Sequence, residues 1–187
     1  MKSGHALNST LHSIPDCQSI IKKAAVERLK EKYHNSWFEE TGAVFPIQFS
    51  IIKDEVVIYL DTTGTGLHKR GYRRNSNDAP IKETLAAGII DLARVRGDSV
   101  VCDPFCGSGT LLIESAYKAL SVAPGLKRKF LAEKWDCISS SFWKDARNDA
   151  ISLVRHDTDF KAYGFDIDEN AVTLTNDNAN KAGISKR

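Results

Sequence analysis

The chain has 187 residues, 42% of them hydrophobic and 27% charged, and a formal net charge of +2. That is enough apolar material for one or two compact units, and too little charge to argue nucleic-acid binding by itself. No apolar run approaches the ~20 residues of a membrane span and the N-terminus lacks a signal-peptide core, so no membrane association is expected. The four cysteines form no Cys-x-x-C pair and meet no histidine cluster, so no metal is expected and a reducing cytoplasm is the simplest compartment.

Residues near 17–34 read as an amphipathic helix, with Ile20, Ile21, Ala24, Ala25 and Leu29 on one face and lysines elsewhere. Residues 44–52 and 55–61 read as a β-hairpin around Lys53-Asp54, expected to bridge an N-terminal part to the larger C-terminal part. From His68 to Arg74, the cations Lys69, Arg70, Arg73 and Arg74 surround Tyr72. Such a set suits a phosphate backbone and a stacked base. It equally suits a latch whose arginines pair with acids of the next domain. After the polar linker Asn75-Ser76-Asn77-Asp78, residues 81–96 read as a helix burying Leu85, Ile89, Leu92 and Ile90, stopped at Gly97.

The most informative stretch is Asp103-Pro104-Phe105-Cys106-Gly107-Ser108-Gly109-Thr110. It lies between an apolar strand at 99–102, with Cys102 expected in the core, and a helix at 111–120. Strand, glycine turn and helix make a nucleotide-type binding corner. Leu112 stands where a dinucleotide fingerprint needs its third glycine, and no Lys-Ser/Thr follows as a Walker loop needs. A carboxylate at Asp103 would repel a pyrophosphate placed over the helix N-terminus, but it favours the ammonium of S-adenosylmethionine. Ser108 and Thr110 are expected to cap the helix, and Cys106 to shape the pocket.

A second strand begins at Lys161 and runs into Phe165-Asp166-Ile167-Asp168. Doubly wound folds hold ribose hydroxyls with an acid at this place. Asp166 is assigned that role, Ile167 an adenine face, and Asp168 a weaker acceptor role. The alternative is that these acids merely open the helix expected at 169–181. The distance from Asp103 to Asp166 is about twice the ~30 residues of a plain βαβ unit, so residues 124–136 and 139–155 are an insertion. Trp135, Phe142, Trp143, Ile151 and Leu153 are its expected packing groups. Lys127-Arg128-Lys129 reads as a solvated charge run rather than an RNA contact.

Five segments, in order, resemble the RNA methylase family that carries THUMP domains, the guanine-N2 methyltransferases of 23S ribosomal RNA or transfer RNA. They are 67–73 (LHKRGYR), 79–87 (APIKETLAA), 103–114, 123–135 and 164–168 (GFDID). The resemblance implies an α/β, partial Rossmann-like fold for an S-adenosylmethionine-dependent methyltransferase, preceded by the C-terminal part of a THUMP-type module. The boundaries expected are 1–43 for that module, 44–78 for the hairpin and basic linker, and 79–187 for half of the methyltransferase domain, with an insertion near 122–158.

Cofactor contacts are expected from Lys82, Thr84, Asp103, Pro104, Phe105, Cys106, Gly107, Ser108, Gly109, Asp166, Ile167 and Asp168. RNA contacts are expected from Lys69, Arg70, Tyr72, Arg73 and Arg74. The family's catalytic Asn-Pro-Pro-Tyr/Phe does not occur in this sequence, so no catalytic residue is assigned and the chain alone is expected to be inactive. The implied activity is guanine-N2 methylation of structured RNA, 23S ribosomal RNA first. Adenine-N6 methylation of DNA and a non-catalytic RNA-binding fragment are the alternatives.

Overall fold

The computed structural model describes residues 3–39, 41–73 and 80–184. They form two compact units, one running to Gly64 and adding Phe130–Ile138, the other comprising Thr65–Lys129 and the chain from Ser139 onward.

The first unit is built from β1 (Ser3–Leu7), α1 (Ile14–Tyr33), β2 (Ile47–Ile52) and β3 (Glu55–Leu60). The sheet order is β1-β2-β3, with β1 parallel and β3 antiparallel to β2. The expected hairpin therefore belongs to the sheet of this unit. Its turn residues Lys53 and Asp54 both have positive φ, 51° and 64°, which matches the right-handed twist of the strands. The Asp54 carboxylate also accepts from Ser9 Oγ at 2.6 Å and Thr10 N at 2.8 Å, pinning the end of β1 to the turn. These bonds, Ser9's first, favour the charged form and hold the Asp54 pKa below the usual carboxylate range. β1 has too little apolar alternation to be read from the sequence; pairing with β2 makes it a strand.

Phe49 and Ile51 point inward from β2 onto Cys17, Ile14 and Ile21 of α1. The helix thus buries a line at 14, 17 and 21, whereas Ile20 and Leu29, expected inside, are exposed. The segment 130–138 adds Trp135, whose indole stacks on Phe45 at 4.6 Å between centroids and donates to the Val44 carbonyl at 3.0 Å.

The second unit contains α2 (Glu83–Leu92), β4 (Val100–Asp103), α3 (Thr110–Ala119), α4 (Ser140–Ser152), β5 (Lys161–Gly164) and α5 (Glu169–Ala182). β4 and β5 pair in parallel, placing Asp103 opposite Gly164. α3 is the central element: Leu112, Ile113, Ala116, Tyr117 and Ala119 are all buried. Ile113, Ala116, Tyr117 and Ala119 share a core with Ile90 of α2, Phe160 before β5 and Ala182 of α5.

Several expectations are corrected. α2 stops at Leu92 rather than at Gly97, because Arg94 turns left-handed at φ 56°. Its buried line is Glu83, Ala86 and Ile90, while Leu85, Ile89 and Leu92 are exposed. The helix is rotated so that small Ala86 is buried and Glu83 lies beside Arg73. Cys102 is exposed, with Val100 and Tyr163, on the face of the two strands opposite the buried one. Phe142, Ile151 and Leu153 of the insertion are exposed as well. Arg128 is not solvated; it donates to the carbonyls of Gly66, at 3.2 Å, and Thr65.

Residues 70–73 are fastened to α3 by a buried polar network. Glu114 Oε1 takes an ion pair from Arg70 Nε at 2.9 Å and a hydrogen bond from Tyr72 Oη at 3.0 Å. The Tyr72 ring meets Tyr117 edge-on at 6.0 Å. Arg73 Nη2 donates to the Ile81 carbonyl at 3.0 Å and to Thr110 Oγ1 at 2.5 Å, and Nη1 lies 3.8 Å from Glu83. Burial pushes the Glu114 carboxyl above its usual range, and Arg70 only partly offsets this. Burial, reinforced by the Glu114 charge, likewise pushes the Tyr117 phenol up to about 12.

Tyr72→Phe should therefore lower the unfolding free energy by roughly 1.5–3 kcal/mol, the worth of a hydrogen bond to a charged acceptor; an unchanged urea midpoint would mean the network holds nothing. The raised Glu114 carboxyl keeps its proton in the folded state when the unfolded chain has already lost it. Its contribution to stability is thus full below the ordinary carboxylate range and declines as pH rises through the raised folded value. Thermal melts of Glu114→Gln between pH 4 and 8 should show a flatter pH dependence than the parent.

Candidate functional site

The site forms where β4 ends. Asp103 is the last residue of β4, and its Oδ1 accepts from Phe105 N at 3.0 Å, which starts the turn. Gly107 and Gly109 have positive φ, 52° and 75°. At Gly109 a Cβ would lie 2.7 Å from Thr175 Cγ2, so both backbone angle and space demand glycine. Gly164 opposite the turn is constrained by space alone, since a Cβ there would sit 2.6 Å from Leu112 Cδ1.

α3 begins directly after the turn with Gly109 as its N-cap, and no side chain caps it. The expected capping by Ser108 and Thr110 is thus corrected. Their hydroxyls bond each other at 3.1 Å, and Thr110 Oγ1 also accepts from Arg73. The first-turn amides of α3 are left without a side-chain acceptor, and that end of a helix carries partial positive charge.

The second strand supplies the other half. Cys106 N donates to the Phe165 carbonyl at 2.8 Å, and Phe165 N donates to the Asp103 carbonyl at 2.9 Å. Gly107 N donates to Asp166 Oδ2 at 2.9 Å, while Asp168 N donates to Asp166 Oδ1 at 3.1 Å. These backbone donors, Asp168 first and Gly107 next, hold the Asp166 carboxyl below its usual range. Each oxygen keeps a further lone pair. Asp168 acts differently, as the N-cap of α5, and accepts from Asn170 N at 2.9 Å. The two acids therefore divide the readings the sequence left open, Asp168 opening the helix and Asp166 joining the turn.

A pocket of about 200 Å³ opens here, walled by Pro80 and Ile81 on one side and by Asp103, Phe105, Gly107 and Thr110 among the turn residues. Phe105 is 85% exposed and Ile167 is fully exposed, so two apolar groups stand uncovered at the turn and at the end of β5. Pro104 is exposed on the turn, and Cys106 and Ser108 are buried within it. Lys82 and Thr84 are exposed at the start of α2, outside the residues that wall the pocket. A larger groove of about 390 Å³ includes Arg70, Glu114 and Tyr117. Arg70 and Glu114 are paired with each other, so its size is not matched by available binding chemistry.

Arg70, Tyr72 and Arg73, expected on RNA, are instead committed to the network with Glu114, Thr110 and Glu83. Lys69 is exposed, and Arg74 lies outside the described residues. Sequence reasoning missed two residues of α5. Thr175 Oγ1 donates to the Gly107 carbonyl at 3.0 Å, and Asn178 Nδ2 donates to the Ser108 carbonyl at 2.9 Å. The available signal was a polar residue on the line Ala171, Asn178, Ala182 that α5 buries.

The pocket itself offers one carboxylate, Asp103, of a kind that suits an ammonium. The lone pairs of Asp166 and the exposed Ile167 stand at the neighbouring strand end, outside the residues that wall the pocket.

Comparison with known proteins divides the chain near the same point, while keeping 130–138 with the C-terminal domain. The family model described as RMKL-like, methyltransferase domain, matches residues 70–187, and the THUMP domain model matches residues 3–61, which takes in the hairpin. "Putative RNA methyltransferase YpsC" of Bacillus subtilis is 45% identical over 97% of this chain and 48% of its own length. The ribosomal RNA large subunit methyltransferase K/L of Vibrio campbellii is 41% identical over 72% of this chain and 20% of its own length. A crystal structure described as "a putative methyltransferase complexed with SAH" superposes with a TM-score of 0.88 at 38% identity, over 100% of this chain and 49% of that one. The chain thus spans about half the length of YpsC and of that solved structure, or less for the K/L enzyme. With the acid-headed glycine turn, the Asp166 bridge and the domain order all in place, the chain belongs to the RMKL-like methyltransferase family, with a THUMP domain ahead of the methyltransferase domain.

Proposed function

We propose that this chain supplies the S-adenosylmethionine-binding half of an RNA methyltransferase whose target is the exocyclic N2 amine of a guanine in large-subunit ribosomal RNA. The observation that carries the reading is the Asp166 carboxylate, held by Gly107 N–H beside the Asp103 turn. It is an anionic site at the mouth of an uncapped helix, suited to a cationic nucleoside and unsuited to a phosphate. Bound S-adenosylmethionine supplies an electrophilic methyl on sulfonium. Asp103 orients the amino-acid end, Asp166 the ribose, and Ile167 the adenine. The THUMP domain and the names of the relatives support RNA as the substrate class.

The base is presented by the family's Asn-Pro-Pro-Tyr/Phe, through a backbone carbonyl and a stacked aromatic ring. No residue of this chain fills that role, and the chain alone should bind the cofactor without turning it over. Proximity and alignment of the amine with the methyl are what the assembled site contributes to rate.

Asp166→Ala should weaken S-adenosylhomocysteine binding by roughly 10–100-fold, the worth of one charge-assisted hydrogen bond. Asp166→Asn, which keeps one acceptor, should fall between. Calorimetry showing unchanged affinity in Asp166→Ala would remove the ribose role. For substrate class, the native protein purified from its source should transfer labelled methyl from S-adenosylmethionine to 23S ribosomal RNA, recovered as N2-methylguanosine after digestion. Label found only in adenine of duplex DNA would overturn the RNA assignment; RNA binding without any methyl transfer would leave a binding module.

A further inference from the structure

Asn178 is fully buried, and its Oδ1 has no hydrogen-bond partner among the described residues. An unpaired amide oxygen in a core is costly, and an apolar residue of similar volume would avoid that cost. What Asn178 does provide is its Nδ2 donor to the Ser108 carbonyl, 2.9 Å away. One turn earlier on the same helix, Thr175 Oγ1 donates to the Gly107 carbonyl at 3.0 Å and lies 3.5 Å from Cys106 Sγ. These two side chains take hold of consecutive carbonyls of the glycine turn. Asp166 takes hold of the same peptide run through Gly107 N–H.

Glycines with positive φ give the turn its shape but also make it soft, since glycine has access to many other backbone angles. Local restraint is limited to backbone closure, Gly109 N donating to the Cys106 carbonyl at 2.7 Å, and to the Asp103 bond at its start; Gly109 brings no capping side chain, and the hydroxyls of Ser108 and Thr110 bond each other. The side-chain stiffening of the Gly107 and Ser108 carbonyls comes from α5, far along the chain. With the carbonyls of Gly107 and Ser108 drawn toward α5, the peptide planes of the turn are fixed relative to Asp103 and Asp166.

We infer that Asn178 and Thr175 are positioning residues that preorganise the cofactor turn, acting through its backbone and touching no ligand themselves. The inference rests on the reading of the pocket as an S-adenosylmethionine site, and it adds that affinity for the cofactor is set in part from α5. Preorganisation of this kind raises affinity by removing the ordering cost at the moment of binding.

The test uses the whole chain in two measurements. In the free protein, amide hydrogen exchange at Gly107 and Gly109 should speed up by about tenfold or more in Asn178→Leu, as expected when an anchoring hydrogen bond is lost. Thr175→Val should do the same to a smaller extent, and Thr175→Ser, which keeps the donor, should restore parental rates. S-adenosylhomocysteine binding by calorimetry should weaken by about tenfold in Asn178→Leu. Ile90→Val, a core change in α2 away from the turn, serves as the stability control; it should lower the melting temperature and leave both readouts alone. Parental exchange at Gly107 and Gly109 in Asn178→Leu overturns the inference, whether or not ligand binds. So does weakened binding that Ile90→Val reproduces. If the parent chain itself fails to bind S-adenosylhomocysteine while exchange in Asn178→Leu is accelerated, the assignment of the pocket is what falls, and the control of the turn by α5 stands.

Discussion

One hydrogen bond, from Gly107 N–H to the Asp166 carboxylate, ties together two parts of the chain that are far apart in sequence. It can form only because β4 and β5 run parallel with Asp103 opposite Gly164, which places the two strand ends side by side at the same edge. The crevice beyond the carboxyl ends of parallel strands is where open α/β sheets take their ligands, and this pair of strands is the minimal case. The helices serve that juxtaposition. α3 starts where β4 stops, α5 starts where the acidic turn stops, and the two pack through the same core. A site spread over one strand end would have been a surface loop; spread over two registered strand ends it is fixed in shape.

The buried network on Glu114 works in a different way. An ion pair taken out of water gives back little of what its desolvation costs, whereas removing one partner leaves the other stranded. Arg70, Tyr72 and Glu114 are therefore better understood as a means of placing the segment 70–73 than as a source of net stability. Arg73 extends the placement to Ile81 and Thr110, which stand on two sides of the candidate pocket. The wall formed by Pro80 and Ile81 is thus connected to the start of α3 through one guanidinium.

How much of this could be read beforehand differs by residue, for physical reasons. The turn from Asp103 to Thr110 and the acid at 166 were legible because glycine, acid and flanking apolar runs are local signals. The latch was legible as one of two readings, since a row of cations fits either a phosphate backbone or buried acids, and only the position of Glu114 on α3 separates them. The buried side of α2 was legible only at Ile90. Hydrophobic period selects Leu85, Ile89 and Leu92, but the neighbouring helix surface and the partner of Glu83 selected another line. Cys102 was misplaced because an apolar strand with one covered face reads like one with two. β1 and Thr175 were beyond reach because their roles are defined by partners distant in sequence, and Asn178 carried only one local mark, a polar residue on the otherwise apolar line that α5 buries.

The assignment of Phe130–Ile138 to the first unit has a consequence for synthesis. Chains emerge from the ribosome N-terminus first, and units near the front generally fold while the rest is still being made. Here the strands β1 to β3 are complete by Leu60, yet the indole that stacks on Phe45 and satisfies the Val44 carbonyl belongs to Trp135. Until that residue clears the exit tunnel, Phe45 and an unpaired carbonyl stay open to water and to chaperones. The N-terminal unit of this protein is therefore finished late, after α3 of the second unit has already been released.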